Sequence, residues 1–394
     1  MTGQFKGNFT QQEPIPEAGI SAALEVLRHG RLHRYNLADD ETGETAELER
    51  EFAAFTGASY ALAVASGGYA LATALRAIGV KSGEPVLTNA FTLAPVPGAI
   101  ASLGARPVFV ETTDALTVDL DHLATTAKAS GARVLMLSHM RGHQPDMDRV
   151  MRCAGEHGLT VIEDCAHTMG GTWGGVVSGR HGAIACYSTQ TYKHINSGEG
   201  GLLITDDAEL AARATLLSGS YMLYERNGAG PSAQVFEALR DVTPNVSGRM
   251  DNLRAAILRP QLADLPAQVA RWSALHDEME AGLGNLPDLR LIDRDPGLVR
   301  VGSSFQFRLP KHAPERIADF VARCSARGVE LKWFGAPRAV GFTSTYRHWA
   351  YAETPDLPQT DRIMAGLLDM RLPLTFSVDD CAQIACIIRE EAER

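Results

Sequence analysis

Cys186-Tyr187-Ser188-Thr189-Gln190-Thr191-Tyr192-Lys193-His194-Ile195-Asn196-Ser197-Gly198-Glu199-Gly200-Gly201 joins three pieces. An apolar, β-prone lead-in runs from Ala183 to Tyr187, a single lysine follows among hydroxyl and amide side chains, and glycines crowd the exit. Glycine lets backbone turn sharply or come close to a ligand. Leu202-Leu203-Ile204-Thr205 then resumes as a strand, so Lys193 is expected in a connection between two strands, held by rigid elements and free to reach into a cleft. A lysine taken at random is more often a solvated surface residue, and the surrounding chain decides between the two.

Upstream, the pattern alternates. Strands are expected at 60–65, 85–88, 107–110 and 134–138, and helices at 67–78, 94–103, 120–128 and 147–157. Strands alternating with helices of about ten residues mean βαβ units and a mainly parallel sheet. Val134-Leu135-Met136-Leu137 is apolar without alternation, which suits a sheet covered on both faces. An amphipathic helix is expected at 44–55, and one more at 17–28 inside an irregular lead-in over residues 1–40.

Downstream, a helix at 208–217 is followed by the polar, glycine-bearing stretch 218–247. A long helical pattern then covers 250–283, where Pro260 and Pro266 are expected to kink or break the helix. The domain boundary is placed inside it: residues 1–255 form a large α/β domain and 256–394 a small α+β domain. The small domain reads β-β-α-β-α-α, with strands near 289–292 and 303–308, a helix at 315–327 and a closing helix from Asp379.

Composition narrows the class. At 394 residues, with 45% hydrophobic residues, the chain can bury a substantial core. Its formal charge of −10 and the lack of any basic tract argue against nucleic acid as a partner. The six cysteines show no CxxC pair or Cys/His ligand spacing, so neither a metal site nor a disulfide framework is expected. Met1 to Pro16 is polar and no run approaches a membrane span, so a cytoplasmic protein is expected.

A second stretch, Thr160-Val161-Ile162-Glu163-Asp164-Cys165-Ala166-His167, is a buried-looking strand ending in an acid and an imidazole. An aspartate at the carboxyl end of a strand in an α/β sheet points into the ligand crevice. Schiff-base chemistry on pyridoxal phosphate needs a lysine for the aldehyde and an acid for the pyridinium nitrogen. Asp164 and Lys193 supply that pair.

Five ordered runs extend the pattern: Leu48-Glu49-Arg50-Glu51-Phe52, Ser66-Gly67-Gly68-Tyr69-Ala70-Leu71, the Asp164 stretch, the lysine run, and Arg249-Met250-Asp251-Asn252-Leu253-Arg254. Together they resemble the DegT/DnrJ/StrS family of fold type I sugar aminotransferases. The resemblance implies a large domain built on a seven-stranded mixed sheet between helices, a small C-terminal domain, and pyridoxal phosphate as cofactor. It implies that Lys193 carries the cofactor and acts as general base, that Asp164 meets the ring nitrogen, and that His167 lies near the ring oxygen. The phosphate would rest on Gly67, Gly68 and Ser188.

Three positions depart from the family pattern. Gly68 stands where a threonine or serine is usual, and Leu93 where an aromatic ring covers the pyridine, with Phe91 two residues before it. Ser247 occupies the place of an asparagine that reaches the phosphate across a dimer interface, while Asn245 lies two residues earlier. Both remain candidates. In His139-Met140-Arg141-Gly142-His143-Gln144-Pro145-Asp146, His143 is the unusual member, expected to face substrate or to cap the helix after it. Walls of the pocket are expected from 218–247 and 332–345.

The function implied is a ping-pong aminotransferase. It would take nitrogen from an amino acid, glutamate or glutamine by resemblance, and deliver it to a keto-sugar, nucleotide-linked or not, or to a keto-cyclitol. A homodimer with shared sites is implied as well. The same lysine and aspartate would also serve a lyase or a carbon-bond-forming enzyme, or a regulatory homologue that binds the cofactor without turnover.

Overall fold

The computed structural model describes residues 3–38, 41–284 and 286–394. The expected lead-in over 1–40 falls within these except at 1–2 and 39–40, which lie outside the described residues. In chain order the first half holds α1 (Glu17–His29), α2 (Glu44–Thr56), β1 (Tyr60–Val64), α3 (Gly67–Ile78), β2 (Pro85–Asn89), α4 (Pro95–Ser102) and β3 (Arg106–Val110). It continues with α5 (Leu120–Ser130), β4 (Val134–Ser138), α6 (Met147–Glu156), β5 (Thr160–Asp164), the short hairpin of β6 (Thr172–Trp173) and β7 (Val176–Val177), β8 (Ile184–Ser188), β9 (Gly201–Thr205) and α7 (Ala208–Ser218).

Seven of these strands form one sheet in the order β1-β9-β8-β5-β4-β2-β3. β8, β5, β4, β2 and β3 pair in parallel, and β9 runs antiparallel to both its neighbours. This is the mixed, mainly parallel sheet of the expectation. Its central strands β4, β8 and β9 are buried at every position, as their unbroken apolar runs require. Helix starts are fixed by side-chain caps: Asp119, Asp146 and Asp207 each accept from an amide in the first turn of α5, α6 and α7. Lys193 lies in the connection between β8 and β9.

The second half holds α8 (Ala233–Glu237), α9 (Asn252–Leu283), β10 (Arg290–Leu291), β11 (Leu298–Val299), β12 (Ser304–Arg308), α10 (Pro314–Ala326), β13 (Lys332–Trp333), α11 (Pro358–Ala365), β14 (Leu367–Arg371) and α12 (Val378–Ala392). An antiparallel sheet runs β10-β12-β14-β13, whereas β11 pairs with β6. The expected order lacked β11 and placed no strand between the last two helices. β14 follows α11 after one glycine, Gly366, so the sequence carries little punctuation there.

The expected break at Pro260 and Pro266 does not occur: α9 is one helix with both prolines inside it. An interior proline costs about 3 kcal/mol through its missing N–H and its clash with the preceding turn. Packing outweighs that cost. Leu258, Leu262 and Leu265 are buried while Pro266 is exposed, and α9 packs against α1, α2 and α12. The core that α9 contributes to joins Phe52 and Tyr187 of the large sheet side to Phe305 and Phe307 of β12 and Ile384 of α12. No helix among the described residues is long and apolar enough to cross a membrane.

One buried ion pair fastens the lead-in. Arg34 meets Glu49 of α2 through two hydrogen bonds of 2.8 and 2.9 Å, and its side chain and that of Glu49 are 1% and 0% exposed. Arg34 also donates to Asn227 Oδ1, and Glu49 accepts from the Ala63 amide of β1. Removing one partner leaves the other buried and unpaired, which costs about 3–5 kcal/mol. Glu49→Ala should therefore lower unfolding stability by that amount in urea titration, and a loss below about 1 kcal/mol would show the pair to be dispensable.

Candidate active site

Parallel pairing brings several strand ends to one edge of the sheet. Ser138 of β4 lies in register with Asp164 of β5, and Asp164 with Cys186 of β8, two residues before Ser188. Asn89 at the end of β2 locks this edge: its amide donates to the carbonyls of Phe91 and Ser138 and accepts from the Ser138 amide. Ligands bind such sheets outside the carboxyl ends of the strands.

The two adjacent acids of β5 part company because neighbours on a strand face opposite sides. Glu163 is fully enclosed, accepting from His139 at 2.9 Å and from the amides of Gly179, His181 and Gly182. Asp164 is also buried, but accepts only from Ser138 Oγ at 2.8 Å and the Ala166 amide at 3.2 Å. No basic side chain among the described residues forms an ion pair with it. A buried carboxylate without a cation is costly unless a ligand supplies one.

Lys193 Nζ lies 3.0 Å from His167 Nε2. Lys193 lines one cavity with His167, Tyr192, Arg141 and Arg371, and a second with His194, Asn196 and Gln261. Burial, then the charge of Arg141, lowers its pKa to about 7 against the opposing pull of Asp164, with Arg371 adding to the fall. At neutral pH a large fraction of this amine is therefore unprotonated and nucleophilic. Burial and the adjacent lysine push His167 well below the ordinary imidazole range, so it stands as a neutral partner.

At the start of α3, Ser66 accepts from the Tyr69 amide, leaving the amides of Gly67 and Gly68 as the first two of the helix. Such amides have no intrahelical acceptor and favour an anion. Gly67 is required by close approach: a Cβ there would stand 2.8 Å from Ser188 Cβ. Gly68 is under no such pressure, since a Cβ would meet only Pro95 at 3.7 Å. Leu93 is half-buried against a cluster that includes Phe91, Met140 and Phe334. Phe91 is committed to that cluster, edge-on to Phe334 at 5.3 Å, and does not stand in for the missing aromatic.

Asn245 and Ser247 do not line the Lys193 cavity of their own chain. Both are exposed, on a segment tied to the outer side of α3 through Tyr69, whose hydroxyl bonds the carbonyls of Leu217 and Val246. Ser247 bonds Tyr221, and Arg249 lies over the Tyr221 ring. His143 neither caps α6, which Asp146 does, nor lines the Lys193 cavity; it is half-buried, bonds Gln306 at 2.9 Å and lines a separate cavity with Gln144 and Asp146. His194 likewise turns away, to Ser303 and the edge of Trp272.

Within the chain the walls of the cavity that Lys193 shares with His167 come from Gln12, Trp272, Ser303, Ser304 and the end of β14, and Phe342 of the expected 332–345 stretch packs against Arg371. Three residues of this region escaped sequence reasoning: Ser138, Arg141 and Arg371. Arg141 sits in a quoted run, and its φ of 57°, rare for a non-glycine residue, is visible only in three dimensions. Arg371 ends a strand that carried no periodic signal.

Residues 17–389 match the DegT/DnrJ/EryC1/StrS aminotransferase family. The chain belongs to that family. It is 30% identical over 379 residues to the dTDP-3-amino-3,4,6-trideoxy-alpha-D-glucose transaminase of Streptomyces venezuelae, covering 95% of this chain and 92% of that protein. With the 3-amino-5-hydroxybenzoate synthase of Amycolatopsis mediterranei it shares 33% identity over 338 residues, 84% of this chain and 81% of the relative. The crystal structure of a 3-amino-5-hydroxybenzoic acid synthase superposes with a TM-score of 0.83 at 26% identity, over 98% of this chain and 99% of that one. Membership makes the protein a pyridoxal-phosphate-dependent aminotransferase, and Asp164 without an ion pair and Lys193 with its lowered pKa fit that cofactor.

In the cofactor-free protein, acylation of Lys193 followed by peptide mapping should titrate with a midpoint near 7, well below a surface lysine. Arg141→Gln removes a repelling cation and should raise the midpoint. A wild-type midpoint near 10 would contradict the enclosed, cation-flanked setting.

Proposed function

We propose that this family member aminates a ring ketone, a keto-sugar or keto-cyclitol, at the expense of glutamate or glutamine in two successive half-reactions. The observation that carries the reading is Asp164, a buried carboxylate without an ion-pair partner among the described residues, at the same sheet edge as a lysine enclosed beside His167. When bound, pyridoxal phosphate supplies an aldehyde for amines and a ring that, protonated at nitrogen, draws electron density from the bonds being broken.

Each residue then has a task. Asp164, oriented by Ser138, keeps the ring nitrogen protonated. Lys193 would hold the cofactor and would serve as the base that moves the proton at the reacting carbon. His167 keeps the lysine directed into the cleft. The amides of Gly67 and Gly68 and the Ser188 hydroxyl would hold the phosphate, and Leu93 would cover the ring by dispersion. Asn245 and Ser247 would complete the site of a second copy. Support for such a homodimer comes from Tyr221 and Met222 beside them, which are 57% and 55% exposed and both have positive φ. Strained, exposed apolar residues of this kind suit a face that a partner covers.

Two of the relatives, an amino-sugar transaminase and an aminohydroxybenzoate synthase, support a six-membered-ring acceptor.

Borohydride reduction of the loaded enzyme should fix the label on Lys193. Asp164→Asn should keep the fold and slow amino transfer by orders of magnitude, since a fixed charge in a dry site is worth several kcal/mol. Near-normal transfer in that variant would point to another acid, and loss or gain of a carbon group in place of nitrogen transfer would point to a lyase. Mixing Lys193→Ala subunits with subunits changed at both Asn245 and Ser247 should restore one working site per mixed dimer. Absence of rescue would count against sharing.

Gly68→Thr has room for its side chain and returns a hydroxyl donor, so it should tighten pyridoxal phosphate by about 1 kcal/mol, roughly fivefold, in a fluorescence titration. Unchanged affinity would mean that position 68 does not face the phosphate.

A further inference from the structure

A cavity of about 410 Å³ lies where the loops after β3 and β4 meet the segment between β10 and β11. Residues 113–121 and 143–149 form one side of it and residues 293–298 the other. It shares no lining residue with the two cavities at Lys193, whose volumes are about 30 and 100 Å³. Its size and its place beyond the carboxyl ends of parallel strands are those of small-molecule sites.

Gln144, one of its lining residues, is 1% exposed, and neither Oε1 nor Nε2 has a hydrogen-bond partner among the described residues. A buried amide without partners weakens the fold, so a glutamine at such a place calls for a group from outside the chain to complete its bonds.

Charge says which kind of group. Five carboxylates line the cavity, those of Asp119, Asp121, Asp146, Asp293 and Asp295. Arg149 and Arg294 are its only guanidiniums, and burial pushes His143 down to about 4, so that imidazole adds no charge. None of the five carboxylates forms an ion pair among the described residues. Asp119 is spent on the His122 amide and on Gln359. Oδ2 of Asp146 and of Asp295, and both oxygens of Asp121 and Asp293, accept no hydrogen bond among the described residues. A cavity with this excess of negative charge draws a cation. The starts of α5 and α6 would favour an anion, but Asp119 and Asp146 already cap them.

A metal ion is ill served here, because no three of these carboxylates bring oxygens within 4.8 Å of one another among the described residues. Acceptors so dispersed suit an organic cation with donors spread over its frame. Val118, Pro145 and Leu298 are buried at the cavity and add apolar surface to cover the C–H face of a ring.

We propose that this cavity is a second binding site, for a small hydroxylated ring that carries an ammonium group. The free carboxylates accept from its ammonium and hydroxyl groups, and the Gln144 amide both donates to and accepts from the ring hydroxyls. The product of the amination proposed above belongs to this class, so the site would hold product apart from Lys193. That link rests on the aminotransferase reading; the cavity and its chemistry do not.

The test is calorimetry on enzyme loaded with pyridoxal phosphate and reduced with borohydride, so that no amine can displace Lys193. D-Glucosamine offers ring, hydroxyls and ammonium; D-glucose lacks the ammonium and cyclohexylamine the hydroxyls. D-Glucosamine should bind tighter than either by about tenfold or more. Asp293→Asn, at an exposed position, and Gln144→Met should each weaken it by about tenfold. Gln144→Met should also raise the thermal midpoint of the empty protein by about 2 °C, because the unpartnered amide is gone.

Absence of D-glucosamine binding, or an affinity unchanged in either variant, would overturn the site. Equal binding of D-glucose or of cyclohexylamine would overturn the ligand class, as would heat from magnesium chloride that Asp293→Asn abolishes. A lowered midpoint in Gln144→Met would show the amide to be structural and remove the ground for the site. If the protein takes up no pyridoxal phosphate or transfers no amino group, the functional reading fails, and the same titrations on unreduced protein still judge the cavity.

Discussion

Register between β4, β5 and β8 is the constraint on which the site depends. Parallel pairing sets Ser138 beside Asp164 and brings Ser188 to the same edge. Side chains alternate along a strand, so a slip of one residue would exchange Asp164 for Glu163. Glu163 already has a role on the other face, where His139 and three loop amides enclose it. Those bonds help to hold the register, because a slip of one residue would leave an unsatisfied buried carboxylate.

The same edge gathers charge in a way that makes the lysine reactive. Burial lowers the pKa of Lys193 most, and repulsion from Arg141 and Arg371, which share its cavity, adds to the fall. Asp164 pulls in the opposite direction, which leaves the amine balanced near neutrality and not stripped of its proton altogether. A base poised near the working pH is what proton transfer at carbon requires. His167 is held neutral by the same enclosure and so adds no further positive charge beside the amine.

The small sheet is fixed to the large one by α9 and by the pairing of β11 with β6. That attachment lets Arg371, from β14, lie against Tyr192 in the connection between β8 and β9. Two prolines inside α9 are tolerated because buried leucines and the neighbouring helices α1, α2 and α12 specify one continuous helix. Local propensity lost to packing there, as it does wherever many contacts oppose one backbone preference.

Sequence by itself determined the alternation of strands and helices, the position of Lys193 between two strands, and the placing of Asp164 at a strand end, because these are properties of neighbouring residues and of period. It also singled out Gly67 and Ser188, whose close approach the structure explains. It could not determine that Phe91 is taken up by Phe334, that His143 is held by Gln306, or that α9 runs unbroken. Nor could it find Arg371 or couple Arg141 to Asp369, since each of those meetings joins residues far apart in the chain. Tertiary structure decided them, because which side chains share a cavity depends on how the sheets are stacked, and no local pattern carries that information.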